Sequence, residues 1–329
     1  LRAIDLRAGA VFVVSDLHGD WAAYAAYRDL FLSLLERGRA DTFVLLGDMI
    51  HSYGPPDTDA SLYIVQDVMR LRRELGPGRM IALLGNHEVP HIYGIPLSKG
   101  DFLFSPRFEA ALAWSGQRQA VIEFFKSLPF MVRTAGGVLL THAGASANVA
   151  TPQAAEWLLD FDHDALLERV EQHLQEEGMD SLLASYGASG ADYERLAQAY
   201  LCAGPQDPHY ADLLRGFIVG KQPEFSSLWD LLFTQCEYGL VDSVYRNVTT
   251  SFLEAYSPLN SPLRVLVSGH IGVRGGYQIV NQQHLRLASW AHAYPPQAGC
   301  YLLFDAATPV RDATDLEASL HPAWTATGE

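Results

Sequence analysis

A layered α/β fold carrying a second sheet and a helical insertion is predicted by three observations. First, five short apolar runs, at 11–15, 42–47, 80–85, 137–141 and 264–269, are rich in Val, Leu and Ile, and each ends in a small residue followed by a polar one. Helix-like stretches at 21–37 and 60–75 separate the first three runs, and the second stretch stops at Gly76-Pro77-Gly78. Strand, helix, strand in this order implies right-handed parallel crossovers and a layered core. Second, "GYQIV", "HLRLAS" and "CYLLFDA" follow Gly269 with brief polar joints and no helix between them, so they read as an antiparallel ribbon completing a second sheet. Third, the span 151–216 has helical spacing throughout, opened by Thr151-Pro152 as an N-cap and first-turn pair. It is read as a helical cap over a core built from 1–150 and 217–329, with a second, irregular insertion at 89–106.

Bulk composition narrows the function. With 329 residues, 49% hydrophobic and 19% charged, the chain has ordinary globular composition and enough length to bury a core without disulfides. Cys202, Cys236 and Cys300 follow no pair spacing and read as buried thiols. The net charge of −15 and pI of 5.2 exclude a basic nucleic-acid face, and no nucleic-acid partner is expected. A small anionic substrate stays compatible, because surface charge more than about 8 Å away is screened at physiological salt. No apolar run reaches the roughly 20 residues of a membrane span, and no membrane association is expected. The chain opens at Leu1 without a signal-like segment, which gives a cytoplasmic expectation; a leader removed before Leu1 would make it periplasmic or secreted.

The polar residues that follow the five runs are Asp16 with His18, Asp48, Asn86 with His87, His142, and His270. Parallel strands present their carboxyl ends along one edge, so these side chains can converge. Two carboxylates, one amide oxygen and several imidazoles suit two borderline-hard divalent cations, manganese first, with iron or zinc as alternatives; the thiolates of a structural zinc site are missing.

The blocks "DLHGD" (16–20), "GDMIHSYG" (47–54), "GNHE" (85–88), "THAGA" (141–145) and "SGHIG" (268–272) resemble the calcineurin-like metallophosphoesterase superfamily. "GNHE" and the "THAG" block are most similar to its phosphoprotein phosphatase branch. The last block leans the same way, since many phosphodiesterases of the superfamily end in Gly-His-x-His and Gly272 stands at the second histidine position. The resemblance implies a four-layer αββα sandwich of two mixed sheets. It also implies that Asp16 and His18 bind one metal, Asp48 bridges two, and Asn86, His142 and His270 complete the second. His87 would contact the phosphate and protonate the leaving oxygen. Two metals roughly 3.5–4 Å apart would share a hydroxide that attacks phosphorus in line.

The resemblance breaks at the block GDxVDRG, where His51 and Ser52 replace the Asp that orients the catalytic histidine and the Arg that forks onto phosphate. His51 is therefore a candidate neighbour of His87. Arg246 and, after it, Arg274 are candidates to hold phosphate, and His292 in "LASWAHAY" falls where the family places residues beside the metals. His91, His163, His173, His209 and His284 are read as solvated loop or helix residues, and 168–177 as the wet face of a helix. The expectation is a two-metal phosphatase acting on a phosphorylated small molecule or a phosphoprotein. The alternatives are a phosphodiesterase, nucleotidase or dinucleoside polyphosphate hydrolase on the same scaffold, and, of another class, a non-catalytic binding module.

Overall fold

Two mixed sheets lie face to face in the computed structural model, which describes every residue except 101, 186–189, 200–203, 208 and 325–329. The strands of these sheets are β1 (Ala3–Leu6), β2 (Ala10–Val14), β3 (Thr42–Leu45), β4 (Met80–Ala82), β5 (Met131–Thr134), β6 (Val138–Thr141), β7 (Val265–Ser268), β8 (Tyr277–Asn281), β9 (His284–Leu287), β10 (Cys300–Asp305) and β11 (Leu320–Pro322). One sheet has the order β11-β10-β2-β3-β4, with β2, β3 and β4 parallel and β10 and β11 antiparallel. The other has the order β1-β5-β6-β7-β9-β8, with β6, β7 and β9 parallel.

Alternation along each strand makes the layers. Val11 and Val13, Val44 and Ile81 from the first sheet share a buried cluster with Val132, Leu140, Val265, Val267, Leu285 and Leu287 from the second. The intervening residues Phe12, Val14, Phe43, Leu45, Met80 and Ala82 turn instead towards helices α1 (Trp21–Glu36) and α2 (Ser61–Leu75), joining Tyr24, Tyr27, Phe31, Ile64 and Val68. Helix α1 starts where it does because Asp20 Oδ1 accepts from the Ala23 N–H at 2.9 Å.

The five motif-bearing runs are all strands, but three belong to one sheet and two to the other. Strand pairing decides this, and pairing is non-local. The predicted C-terminal ribbon is likewise divided: β8 and β9 extend the second sheet, whereas β10 crosses to the first, its Leu302 and Phe304 opposite Val13 and Val11.

After β4 come α3 (Val89–Tyr93), a short hairpin of Ser98–Lys99 with Phe102–Leu103, α4 (Ser105–Ser115) and α5 (Arg118–Lys126). Between β6 and β7 the described residues form α6 (Pro152–Leu159), α7 (His163–Glu177), α8 (Met179–Ser185), α9 (Gly190–Ala199), α10 (Asp212–Val219), α11 (Pro223–Leu232), α12 (Cys236–Gly239) and α13 (Asp242–Tyr256). Thr151 caps α6 by accepting from Ala154 N–H at 3.2 Å. On α7, Leu166, Val170 and Leu174 face inward while Glu168, Glu176 and Glu177 are exposed, as the charge pattern predicts. Among the described residues no helix is long and apolar enough to cross a membrane. Cys236 and Cys300 are half-buried rather than buried, and Cys202 lies outside the described residues.

Candidate metal centre

Each strand carries its polar residue just beyond its carboxyl end, and the two sheets bring those ends side by side. Asp16 and His18 follow β2, Asp48 follows β3, Asn86 and His87 follow β4, His142 follows β6 and His270 follows β7. All are buried. The chain turns hard to aim them: His18, Asp48, His51 and His270 sit at φ 44°, 49°, 72° and 70°, a left-handed region that residues with side chains seldom occupy. Two motif glycines are required by close packing. A Cβ at Gly85 would stand 2.3 Å from Asp48 Oδ1, and one at Gly269 would stand 2.2 Å from Asp16 Oδ2.

Asp48 Oδ2 is the hub. The Nε2 atoms of His142, His18 and His87 lie 3.5, 3.7 and 3.9 Å from it. Asp48 Oδ1 is turned the other way and accepts from His87 N–H at 3.0 Å. Three groups have ligand atoms mutually close enough for one ion: Asp16, His18 and His292; His18, Asp48 and His87; Asp48, His142 and His270. Asn86 Oδ1 stands 2.8 Å from His142 Nε2, beside the last of these. His292 Nε2 lies 3.7 Å from Asp16 Oδ1 and 3.4 Å from His18 Nε2, which makes this late histidine a full participant in the first group.

The residues fit divalent cations on three counts. His18 Nδ1 is 3.1 Å from the Ile50 carbonyl and His142 Nδ1 is 2.8 Å from the Leu46 carbonyl, so each donates there and presents the lone pair of Nε2 to the centre. His270 Nε2 is buried with no hydrogen-bond partner. The charges also ask for a cation. Burial, then the charge of Asp16, pushes the Asp48 carboxyl well above its usual range. Burial also drives His87 and His270 well below the ordinary histidine value, and burial with His292 takes His18 down to about 3. Neutral imidazoles cannot balance buried carboxylates; metal ions can.

A profile of the calcineurin-like phosphoesterase family matches residues 9–197, more than half of the chain and four of the five blocks quoted above, the exception being 268–272. The chain belongs to the calcineurin-like phosphoesterase family. Similar solved structures include a protein serine/threonine phosphatase from Saccharomyces cerevisiae, at 15% identity, 92% of this chain, 76% of that chain and a TM-score of 0.49. A cold-active protein tyrosine phosphatase is similar at 14% identity, 92% of this chain, 75% of that chain and a TM-score of 0.46. A metallophosphoesterase from Sphaerobacter thermophilus is similar at 14% identity, 94% of this chain, 92% of that chain and a TM-score of 0.33. No curated protein sequence matches the chain.

In this calcineurin-like phosphoesterase the ligand turn is clamped by a residue that its motif contains but sequence reasoning left without a role. Glu88 is fully buried, and its carboxylate accepts from the N–H groups of Gly85 (3.0 Å), Asp48 (3.1 Å) and Met49 (2.8 Å). It thereby ties the ends of β3 and β4 together under Asp48. Burial and the nearby Asp48 raise its pKa to about 8. At the end of the chain, a Cβ on Gly272 would stand 2.5 Å from the Tyr294 ring, so a Gly-His-x-His ending is sterically closed here.

The substrate-side candidates fare unevenly. His51 is buried with its Nδ1 2.9 Å from His87 Nδ1. Arg246 and Arg274 are exposed. The buried stripe of α13 is Tyr245, Thr249, Phe252, Leu253 and Tyr256, and Arg246 lies one residue off it, turned to solvent. The cation near the mouth is Lys99 of the hairpin, whose Nζ lies 5.4 Å from the Tyr53 ring centroid; Tyr53 stands 5.3 Å from the His18 ring. A fully buried arginine, Arg286, pairs with Glu237 and its charge reaches His270, His284 and His292.

Three histidines expected in solvent are buried instead. His284 sits between the Tyr245 hydroxyl (2.9 Å) and the Ser268 hydroxyl (2.8 Å), and the Tyr93 hydroxyl lies 2.6 Å from His163 Nδ1. His91 is held between His51 and Glu109. His173 and His209 are exposed as expected.

Proposed function

We propose that the chain is a two-metal phosphatase that hydrolyses phosphomonoesters of a small molecule or a phosphoprotein. The single observation that carries this reading is the placement of Asp48 Oδ2, with three imidazole Nε2 atoms between 3.5 and 3.9 Å around it and Asp16 on the far side of His18. Asp16, His18 and His292 would hold one cation, and Asn86, His142 and His270 the other, with Asp48 between them. When bound, such cations supply a nucleophilic hydroxide at neutral pH and positive charge for the phosphoryl group.

The chain's own residues do the rest. His87 presents Nε2 to the same space as the ligands, so it can give a proton to the leaving oxygen. It differs from His18 and His142 in that its Nδ1 faces another imidazole rather than a backbone carbonyl, which leaves it free to cycle its proton. Lys99 and Tyr53 form the rim that meets an arriving phosphate. Phe104, 5.0 Å from the His87 ring, keeps water from the acid. The helices of 151–216 would then act as a cap that selects the group attached to phosphate.

The test is a hydrolysis panel on protein reconstituted with manganese, iron or zinc. It compares an aryl phosphate, phosphopeptides and nucleotides with a bis-aryl phosphodiester. Turnover of monoesters at least tenfold above the diester is expected. Preferential cleavage of the diester or of a dinucleoside polyphosphate would replace the reading with the neighbouring one on this scaffold, and full metal occupancy with no hydrolysis would make the chain a binding module.

A further inference from the structure

His87 lacks the carboxylate that its family counterpart leans on, yet a carboxylate is wired to it two imidazoles further back. From His87 Nδ1 the contact runs 2.9 Å to His51 Nδ1; from His51 Nε2 it runs 2.7 Å to His91 Nε2; and from His91 Nδ1 it runs 2.7 Å to Glu109 Oε1. Glu109, on α4, is fixed in turn by Arg118 Nε, which donates to Oε2 at 3.0 Å. All three imidazoles are buried, and the Glu109 side chain is 25% exposed.

With all three rings neutral, the hydrogen-bond arithmetic allows one direction. Glu109 is flanked by the Arg118 guanidinium and is an acceptor. Burial alone would raise its pKa, but the hydrogen bond from His91 and the ion pair with Arg118 act against it and lower it. His91 must therefore carry its proton on Nδ1 and leave Nε2 as a lone pair. His51 then donates from Nε2 and accepts at Nδ1, and His87 donates from Nδ1. Every ring uses one donor and one acceptor, with none left over. The reverse direction would need a protonated Glu109 next to Arg118.

The sleeve around the relay is dry and stiff. Phe104 stacks on His51 at 5.3 Å and 22°, and Phe108 packs edge-on against both His51 (6.0 Å) and His91 (4.8 Å). The backbone of His51 is held at φ 72°, which fixes where its ring points. In such a low-dielectric channel each hydrogen bond polarises the next, so a charge at one end is felt at the other. Glu109, His91 and Arg118 also line a cavity of about 200 Å³.

We propose that Glu109 is the positioning carboxylate of His87, acting through His91 and His51 as a three-imidazole relay. This rests on the phosphatase reading above, in which His87 protonates the leaving oxygen. Glu109 fixes the tautomer and the orientation of each ring, as a directly bonded carboxylate would do in one step.

Two measurements test it. In the first, Glu109→Gln and His91→Phe are each compared with wild type on an alkyl phosphate, whose leaving group needs a proton, and on p-nitrophenyl phosphate, whose leaving group does not. Loss of acid assistance should lower kcat on the alkyl ester by about 10²-fold and leave the nitrophenyl ester within about threefold, with KM and metal content unchanged. Glu109→Asp should recover part of the loss, and the double variant should be no worse than either single one. Equal losses on both substrates, or an unchanged alkyl rate in both variants, would overturn the relay. In the second, ¹⁵N NMR of histidine side chains in the zinc-reconstituted protein reads the tautomers directly. His91 should be protonated at Nδ1 and His51 at Nε2, with that pattern lost in Glu109→Gln. A His91 protonated at Nε2 in wild type would overturn the relay even if the enzyme hydrolysed no phosphomonoester, so this arm stands apart from the phosphatase reading.

Discussion

The floor of the site, made by Asp16, His18, Asp48, Asn86, His142 and His270, and its wall, made by His51, His91, Lys99, Phe104 and Glu109, are assembled differently. Every floor residue stands within a few positions of a strand end, so five local turns place six side chains. Apart from His51, which sits three residues after Asp48, the wall is drawn from the hairpin, the helices and the joints of the segment between β4 and β5. The floor is specified by short-range chemistry and tolerates little change. The wall is a long-range product of packing, and it is where a member of the family can replace one way of holding a histidine with another.

The largest effect expected is at the hub. Asp48→Asn should lower metal stoichiometry and reduce kcat by at least about 10³-fold, the several kcal/mol of charge stabilisation that bound metal supplies. Chelation should abolish activity likewise, and manganese should restore it. Elemental analysis with steady-state kinetics reads both, and an active, fully loaded Asn variant would show that Asp48 does not organise the floor. Next comes the clamp beneath it. Glu88→Gln leaves three converging N–H groups facing an amide, and metal affinity should fall by about 10- to 100-fold, measured by competition with a chelator. An unchanged affinity would mean that the turn holds itself.

The wall should respond more gently. Lys99→Ala is expected to raise KM by about 3- to 10-fold with kcat within about twofold, because an exposed cation contributes on the order of 1 kcal/mol. A fall in kcat at constant KM would move Lys99 from the rim into the reaction. The smallest effect lies behind the wall, where His163 of α7 grips Tyr93 of α3. Burial, with smaller effects from Arg2 and Lys126, holds its pKa well below the ordinary value. The unfolded chain therefore takes up this proton first, and the stability that the neutral ring gives above pH about 6.5 is lost as the pH falls below it, by up to about 1.4 kcal/mol per pH unit. His163→Gln should flatten the acid limb of the urea midpoint between pH 7 and pH 5; an unaltered slope would show that other buried histidines set it.

What could be read from the sequence follows the same division. The strands before Asp16, Asp48, Asn86, His142 and His270, and the helices after Asp16, Asp48 and His142, were legible because composition and period are local signals; the helices α3, α4 and α5 were not, and the irregular insertion expected at 89–106 is partly helical. Which sheet each strand joins was not legible, since β10 pairs with β2 across nearly 300 residues. His91 and Glu109 are separated from His51 by 40 and 58 positions, and nothing in "VPHIY" or "PRFEAAL" marks them as partners. Arg286 did leave a trace: a charged residue within "HLRLAS", where all of His284–Leu287 is buried, has to be paired with something. The family resemblance reached the side chains that the structure gathers around Asp48 because its motifs contain them, and it stopped at His51 because the motif breaks there. Arg246 is exposed for a helical reason: one step along α13 turns a residue by about 100°, from the buried stripe to the solvent.

The left-handed backbone at His18, Asp48, His51 and His270 has a bearing on how this protein would change under selection for stability. Glycine adopts that conformation without the steric cost that a side chain meets there, a cost of order 1–3 kcal/mol per residue. The four positions are thus among the places where a single substitution would relax the chain, and at each one the relaxed protein would lose a side chain of the site. A screen that rewarded only heat resistance would drift towards glycine there and dismantle the enzyme. At those φ angles the three histidines and the aspartate set the chemistry of the site against the comfort of the backbone.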